Sequence, residues 1–172
     1  VAGNLGIDYE DLRKINPSVV MLRMPTYGCY GPYVGYSGNG GSTEPMTGLS
    51  HLNGYEDGPP MNTGVMYTDP VSGMLGFGAL TIALHHRNRT GKGQLIDLSH
   101  QETIIACLGE NVLEHTLAGR SPTRRGNHDA TMAPHGCYPC TGDDRWVAIA
   151  VRSDEEWQAL CRAADMPDPA GD

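Results

Sequence analysis

The order of apolar and polar positions alternates between helical and strand-like stretches from the start of the chain. Asp8 precedes a short amphipathic run, Tyr9–Ile15, which Asn16-Pro17 must end, because the residue before a proline is pushed out of the helical region. Residues 19–24 read as a mostly apolar strand of the kind buried on both faces. Residues 25–60 are irregular and dense in Gly, Tyr and Pro. So long a connector is expected to be functional or folded over a ligand, with a short helical piece near residues 42–52. Asp69-Pro70 then opens the longest apolar stretch. It predicts a buried helix to about His86, with Asp69 as N-cap and Pro70 at the first helical position, where its missing donor costs nothing.

Residues 94–98 are a second short strand, Ser99 is placed to cap a helix running unbroken to about Ala118, and Gly119 stops it. Strand and helix alternate, which predicts an α/β fold with a parallel sheet. Residues 119–136 are polar and basic and read as a linker. Beyond it, residues 146–151 alternate as a strand, and Ser153 with Glu156 forms a capping box for a helix to about Ala164. The expected organisation is a first domain over 1–118, the linker over 119–136 and the start of a second domain over 137–172.

Composition narrows the function classes. A chain of 172 residues has room for a real core, since roughly 70% of the unfolded surface is buried at this size. With 39% hydrophobic and 19% charged residues it is not a disordered polyelectrolyte. The charge-free run 70–84 is too short to span a bilayer, so no membrane partner is expected. A net charge of -8 argues against a general nucleic-acid binder, whose affinity rests on neutralising phosphates. An anionic ligand must therefore meet a local basic patch. Arg87, Arg89, Lys92, Arg120, Arg124 and Arg125 supply one candidate, and a solvated helix end and linker is the plainer reading of them. Five cysteines, an odd number, point to a reducing, cytoplasmic compartment. The chain opens on Val1 and stops just after helix-like sequence, which predicts a piece of a longer protein.

Three groups carry candidate chemistry. Cys137 and Cys140, with His135 beside them, have the spacing of half a zinc site, but no second pair follows and turn cysteines entering a strand explain them. The run Gly38-Asn39-Gly40-Gly41-Ser42-Thr43 is neither a dinucleotide fingerprint nor a Walker loop, which leaves backbone approach to another ligand or plain turn duty. Asp69, as a cap, needs no further role. Yet the same placement keeps a carboxylate ionised and aims it from a glycine-rich wall. Tyr30, Tyr33 and Tyr36 suit an aromatic rim or core packing equally well.

Longer runs add a resemblance. Residues 6–17, Tyr27-Gly-Cys-Tyr-Gly-Pro-Tyr33, Thr47-Gly-Leu-Ser-His-Leu-Asn-Gly54, Asp57-Gly-Pro-Pro60, residues 69–73 and Arg89-Thr-Gly-Lys-Gly-Gln-Leu-Ile-Asp97 follow one another in a distinctive order. Arg125-Gly-Asn127 and Ala133-Pro-His-Gly136 continue it. In these runs the sequence resembles the family III CoA-transferases, which include formyl-CoA, carnitine and benzylsuccinate CoA-transferases and, more distantly, α-methylacyl-CoA racemase. The resemblance implies a polypeptide more than twice this length, with a Rossmann-like large domain, a smaller domain and two interlocked chains. It implies acyl-CoA and carboxylic acid substrates, coenzyme A without a metal, and Asp69 as the nucleophile that forms aspartyl anhydride and aspartyl-CoA thioester intermediates. Gly38, Asn39 and Gly40 match the residues that line the thioester, and Leu5 matches a CoA contact. Racemase relatives place a histidine where Asn39 stands, and an amide cannot act as that acid or base. CoA transfer is therefore the expected activity. The alternatives are acyl-CoA epimerisation on the same scaffold and a non-catalytic CoA-binding or dimerisation fragment, and the chain alone is expected to be inactive.

Overall fold

A computed structural model describes residues 3–167. The described chain separates into two compact units, residues 3–53 with 60–123, and residues 54–59 with 124–167.

The first unit is mixed α/β. Asp8 accepts a hydrogen bond from the Tyr9 amide and starts α1, Tyr9–Ile15. Its carboxylate also pairs with Arg23 at the end of β1, Val20–Arg23, which ties helix to strand. β1 lies parallel to β2, Gln94–Asp97, in the register Val20↔Gln94 to Arg23↔Asp97. Between them in sequence come α2, Gly40–Thr47, the single turn α3, Leu49–Leu52, and the long α4, Thr68–Thr90. α4 packs on both strands and supplies the crossover that a parallel pair requires. Gly76 makes the approach possible: a Cβ there would lie 3.0 Å from the Met24 sulfur and 3.1 Å from Leu22 Cδ2.

Two expectations need correction. The apolar stretch does form a helix, but not a buried one. Ser72, Gly76 and Ala83 are buried, whereas Met74, Phe77 and Ile82 are 75%, 74% and 72% exposed. The two strands take the stripe of small residues, with Gly76 against Leu22 and Met24, leaving the large side chains of α4 in solvent. The helix expected over 99–118 is also two helices, α5, His100–Cys107, and α6, Gly109–Ala118. At Leu108 the backbone leaves helical geometry and its amide is shared between the carbonyls of Ile104 and Ile105, just before a poor helix former, Gly109.

In the second unit, β3, His135–Pro139, pairs antiparallel with β4, Trp146–Ala150, and α7, Asp154–Ala163, follows. Ser153 caps α7 by accepting from the Glu156 amide at 3.4 Å, and Glu156 reaches back to the Arg152 amide at 2.7 Å. Residues 54–59 join this unit through a 2.9 Å bond from the Gly126 amide to the Gly54 carbonyl and a 3.2 Å bond from Arg124 Nε to the Gly58 carbonyl. Nothing in the local sequence announces that long-range exchange. Residues 168–172, the end of the second expected domain, lie outside the described residues. Among the described residues no helix is long and apolar enough to cross a membrane.

Candidate functional site

The site forms where the parallel strands β1 and β2 end at their carboxyl side, the place at which open α/β sheets present ligands to loops and helix starts. After β1 the chain runs through Pro25 and Thr26; after β2 it turns at Ser99 into α5. Backbone bonds join the two exits: the amides of His100 and Gln101 donate to the carbonyls of Pro25 and Thr26 at 3.4 and 3.0 Å. The buried Ser99 hydroxyl donates to Thr26 O at 3.2 Å and caps α5 by accepting from the Glu102 amide. Asp97 holds the strand end in place, its Oδ2 accepting the Cys29 amide at 3.0 Å. Burial, and then the neighbouring Asp97 carboxylate, push the Cys29 thiol up.

Two further segments reach the same place. Thr26 Oγ1 donates to the Gly38 carbonyl at 3.2 Å, and a Cβ on Gly38 would lie 2.7 Å from Thr26 Cγ2. Asn39 then starts α2 through a capping box, accepting from the Ser42 amide at 3.1 Å while its own amide donates to Ser42 Oγ at 3.0 Å. The glycine-rich run is therefore a tight loop that becomes a helix. Its first helical residue, Gly40, faces Asp69: a Cβ there would lie 2.9 Å from Asp69 Oδ2 and 2.5 Å from Met66 Cβ.

Asp69 is not the N-cap. α4 begins two residues earlier than expected, at Thr68, because Tyr67 already has helical angles (φ -52°, ψ -29°), and no side chain caps it. The Asp69 amide donates to Met66 O at 3.0 Å, and Pro70 falls in the first turn, where amides have no helical acceptor in any case. The carboxylate is consequently released from capping while still near the positive end of the helix dipole. Its Oδ1 lies 3.3 Å from His100 Nδ1 and accepts from the buried Thr68 hydroxyl at 3.4 Å.

The segment leading to Asp69 is pinned from beneath by Glu44, a fully buried carboxylate on α2. It accepts from the Thr63 amide at 2.8 Å, the Thr63 hydroxyl at 2.7 Å and the Tyr67 amide at 2.6 Å. Burial pushes this carboxyl up, but the bonds from Thr63 and Tyr67 outweigh it and hold Glu44 below the usual glutamate range. In the loop before Gly38, Tyr33 packs tilted on Tyr27 and edge to face on Tyr36, with ring centroids 5.8 and 5.6 Å apart.

Four of the five residues singled out from the sequence thus meet: Gly38, Asn39, Gly40 and Asp69. Leu5 lies in the 3-10 turn Gly3–Leu5, two-thirds exposed, and no hydrogen bond or ion pair among the described residues links it to the others. Sequence reasoning missed His100 and Glu44. A Ser-His step after a strand reads as an ordinary helix start, and a glutamate before a proline reads as a surface residue. Elsewhere, Arg120 pairs with Glu114 at 3.0 Å, and among the described residues no cluster of three His, Cys, Asp or Glu is placed to hold a metal ion.

A carboxylate freed from capping its helix and set against glycine backbone at the carboxyl ends of parallel strands defines an α/β protein that presents an exposed acidic side chain at its ligand-presenting edge. The chain belongs to CoA-transferase family III, whose model matches residues 1–172. It is 32% identical over 167 residues to a succinyl-CoA–D-citramalate CoA-transferase of Chloroflexus aurantiacus, covering 97% of this chain and 41% of that protein. It is also 32% identical over 156 residues to a succinate–glutarate CoA-transferase of Agrobacterium fabrum, covering 91% and 38%. Among solved structures, a CAIB/BAIF family protein from Brucella suis superposes with a TM-score of 0.90 at 30% identity, over 99% of this chain and 45% of that one. The chain therefore spans about two-fifths of the length of the curated relatives it matches.

Proposed function

We propose that the protein carrying this chain transfers CoA from an acyl-CoA donor to a carboxylic acid, with Asp69 as the covalent nucleophile. The observation that carries the reading is the setting of Asp69. Its carboxylate sits near a helix N-terminus, is not consumed as a cap, and turns Oδ2 toward Gly40, a residue with no side chain of its own to shield it. Attack by that oxygen on a thioester carbonyl expels CoA as a thiolate and leaves a mixed anhydride. The thiolate then takes the aspartyl carbonyl, which stores CoA as a thioester until an acceptor carboxylate collects it. Each step exchanges one carboxylate or thiolate for another, so no metal and no net proton transfer is needed.

Gly38, Asn39 and Gly40 form the wall along which the thioester lies, and Leu5 is a CoA contact in the same proposal. The names of the relatives favour short dicarboxylic acids, with succinyl-CoA as the donor to try first. A cytoplasmic, interlocked homodimer completes the reading. The test is to quench the full-length protein with hydroxylamine during incubation with succinyl-CoA and [13C]succinate. Asp69 is expected to become a hydroxamate visible by peptide mass spectrometry, and Asp69→Ala to lose both the label and the exchange. Exchange at the wild-type rate in Asp69→Ala would overturn the assignment.

A further inference from the structure

We propose that His100, together with Thr68, is the oxyanion-stabilising pair for reactions at the Asp69 carbonyl carbon, which makes His100 a catalytic residue in its own right. The inference rests on Asp69 being the covalent nucleophile and goes on to divide labour between its two oxygens.

The two oxygens of Asp69 have different surroundings. Oδ1 has His100 Nδ1 at 3.3 Å and the Thr68 hydroxyl at 3.4 Å, whereas Oδ2 faces Gly40. Both groups on Oδ1 can donate: the hydroxyl directly, and the imidazole as its Nδ1–H tautomer or as imidazolium. Among the described residues no hydrogen bond is donated to Oδ2, which keeps its lone pairs for attack, so Oδ2 forms the bond to the donor acyl carbon as the carbon–sulfur bond breaks and its electron pair leaves on CoA.

The thiolate next adds to Asp69 Cγ. The carbonyl π pair moves onto Oδ1, the oxygen that stays bonded to Cγ throughout, and the tetrahedral centre collapses by breaking the Cγ–Oδ2 bond. Oδ2 departs with the donor carboxylate, and Cγ is left bonded to sulfur with Oδ1 as its carbonyl oxygen. When the acceptor carboxylate attacks, the charge returns to Oδ1 before CoA leaves again. Negative charge thus develops twice per turnover on the one oxygen that His100 and Thr68 face. Donors fixed where charge develops, and not where the substrate binds, are the arrangement that lowers a barrier without tightening ground-state binding. Separations of 3.3 and 3.4 Å are long for the resting site and are expected to shorten as the charge appears.

The placement of His100 is rigid. It is the first residue of α5, its side chain is 19% exposed, its own amide is bonded to Pro25 O, and the preceding Ser99 is buried with its hydroxyl engaged. A surface histidine meeting a carboxylate by chance would carry none of these constraints.

The experiment uses the full-length protein and degenerate exchange between succinyl-CoA and [13C]succinate, a probe independent of the natural acceptor. His100→Leu removes the donor, and His100→Asn returns an N–H close to the Nδ1 position. His100→Leu is expected to lower kcat by about 10²-fold, the low end of what one oxyanion donor supplies, with the KM for succinyl-CoA unchanged. Intact mass spectra of His100→Leu quenched within the first turnover, before the adducts equilibrate, should show the acyl adduct gaining on the CoA adduct, because attack on Cγ and not on the thioester has slowed. His100→Asn should recover most of kcat. If His100→Leu does not fold, His100→Gln, whose amide reaches the Nε2 position instead, takes its place with the same expected loss. Wild-type kcat in the donor-less variant, or an equal loss in His100→Asn, would overturn the proposal. The underlying reading fails separately, by absence of any adduct on Asp69 in the wild-type protein.

Discussion

Gly40 and Asp69 stand so close that no other residue type fits the first position: a Cβ on Gly40 would lie 2.9 Å from Asp69 Oδ2 and 2.5 Å from Met66 Cβ, with the Met66 Cα at 3.0 Å. Since backbone at the start of α4 would have to move, Gly40→Ala is expected to destabilise the protein by about 1–3 kcal/mol, as overpacking does. The same shift displaces Asp69, so succinyl-CoA exchange should fall together with Tm. Gly73→Ala is the comparison, because a Cβ there meets nothing within 4 Å. That variant should retain activity and match or exceed wild-type stability, alanine being the better helix former by roughly 1 kcal/mol. Equal activity in the two variants would remove the steric argument.

Glu44 makes a second prediction with a defined sign. Its folded-state carboxyl is held below the usual glutamate range despite burial, by bonds from Thr63 and Tyr67. A depressed folded value contributes stability that is present above the unfolded value, about 4.3, and is lost as pH falls through the lower folded one. Wild type should therefore lose stability on acidification in that window, and Glu44→Ala should lose less there. At neutral pH Glu44→Ala removes the charged acceptor from the part-buried amides of Thr63 and Tyr67, and a hydrogen bond to a charged group is worth about 1.5–3 kcal/mol. Urea unfolding at pH 7 and pH 4, with hydrogen exchange followed at residues 63–67, reads both effects. An identical pH dependence in variant and wild type would rule Glu44 out as the source.

What the sequence revealed and what it withheld divide along physical lines. Local signals were faithful: Asp8 and Ser153 cap the helices they precede, and the apolar runs at Val20–Arg23 and Gln94–Asp97 pair in parallel. The meeting of Gly38, Asn39 and Gly40 with Asp69 was legible only through the family resemblance, since 30 positions separate Asn39 from Asp69. Asp69 was misplaced by two positions in its helix because the start depends on the Tyr67 backbone, which Glu44 fixes from another helix. His100 was invisible for the same reason. Its neighbour Asp69 arrives from a different strand connection, and no spacing rule joins them.

The His100–Asp69 pair also separates transfer from epimerisation. Inverting an α-carbon needs acid and base groups on its opposite faces, but these two side chains are 3.3 Å apart and therefore share one side. Asn39, which caps α2, has only an amide, and its oxygen is committed to the Ser42 N–H. A 2-methylacyl-CoA incubated with the full-length protein in D2O is accordingly expected to return without deuterium at the α-carbon. The same preparation should exchange [13C]succinate into succinyl-CoA. Incorporation of deuterium at a rate comparable to that exchange would favour the epimerase.

The exposed face of α4 gives a prediction in which two neighbouring substitutions have opposite outcomes. Met74, Phe77 and Ile82 lie in solvent on the side away from Ser72, Gly76 and Ala83, which are buried. Apolar groups gathered on one helix face are an association hazard, and the 172-residue chain expressed alone should self-associate and bind a hydrophobic dye. Replacing Phe77 and Ile82 by Lys should raise the yield of soluble monomer without lowering Tm, since neither side chain loses a packing partner. Ala83→Lys places the same charge on the buried face, at a residue only 2% exposed, and should unfold the unit. Size-exclusion chromatography with light scattering and thermal melts read both outcomes. In the full-length protein the Phe77 and Ile82 substitutions are expected to reverse sign and destabilise, because a face this apolar is covered in a soluble assembly. Neutral behaviour in the full-length protein would mean that α4 faces solvent there as well.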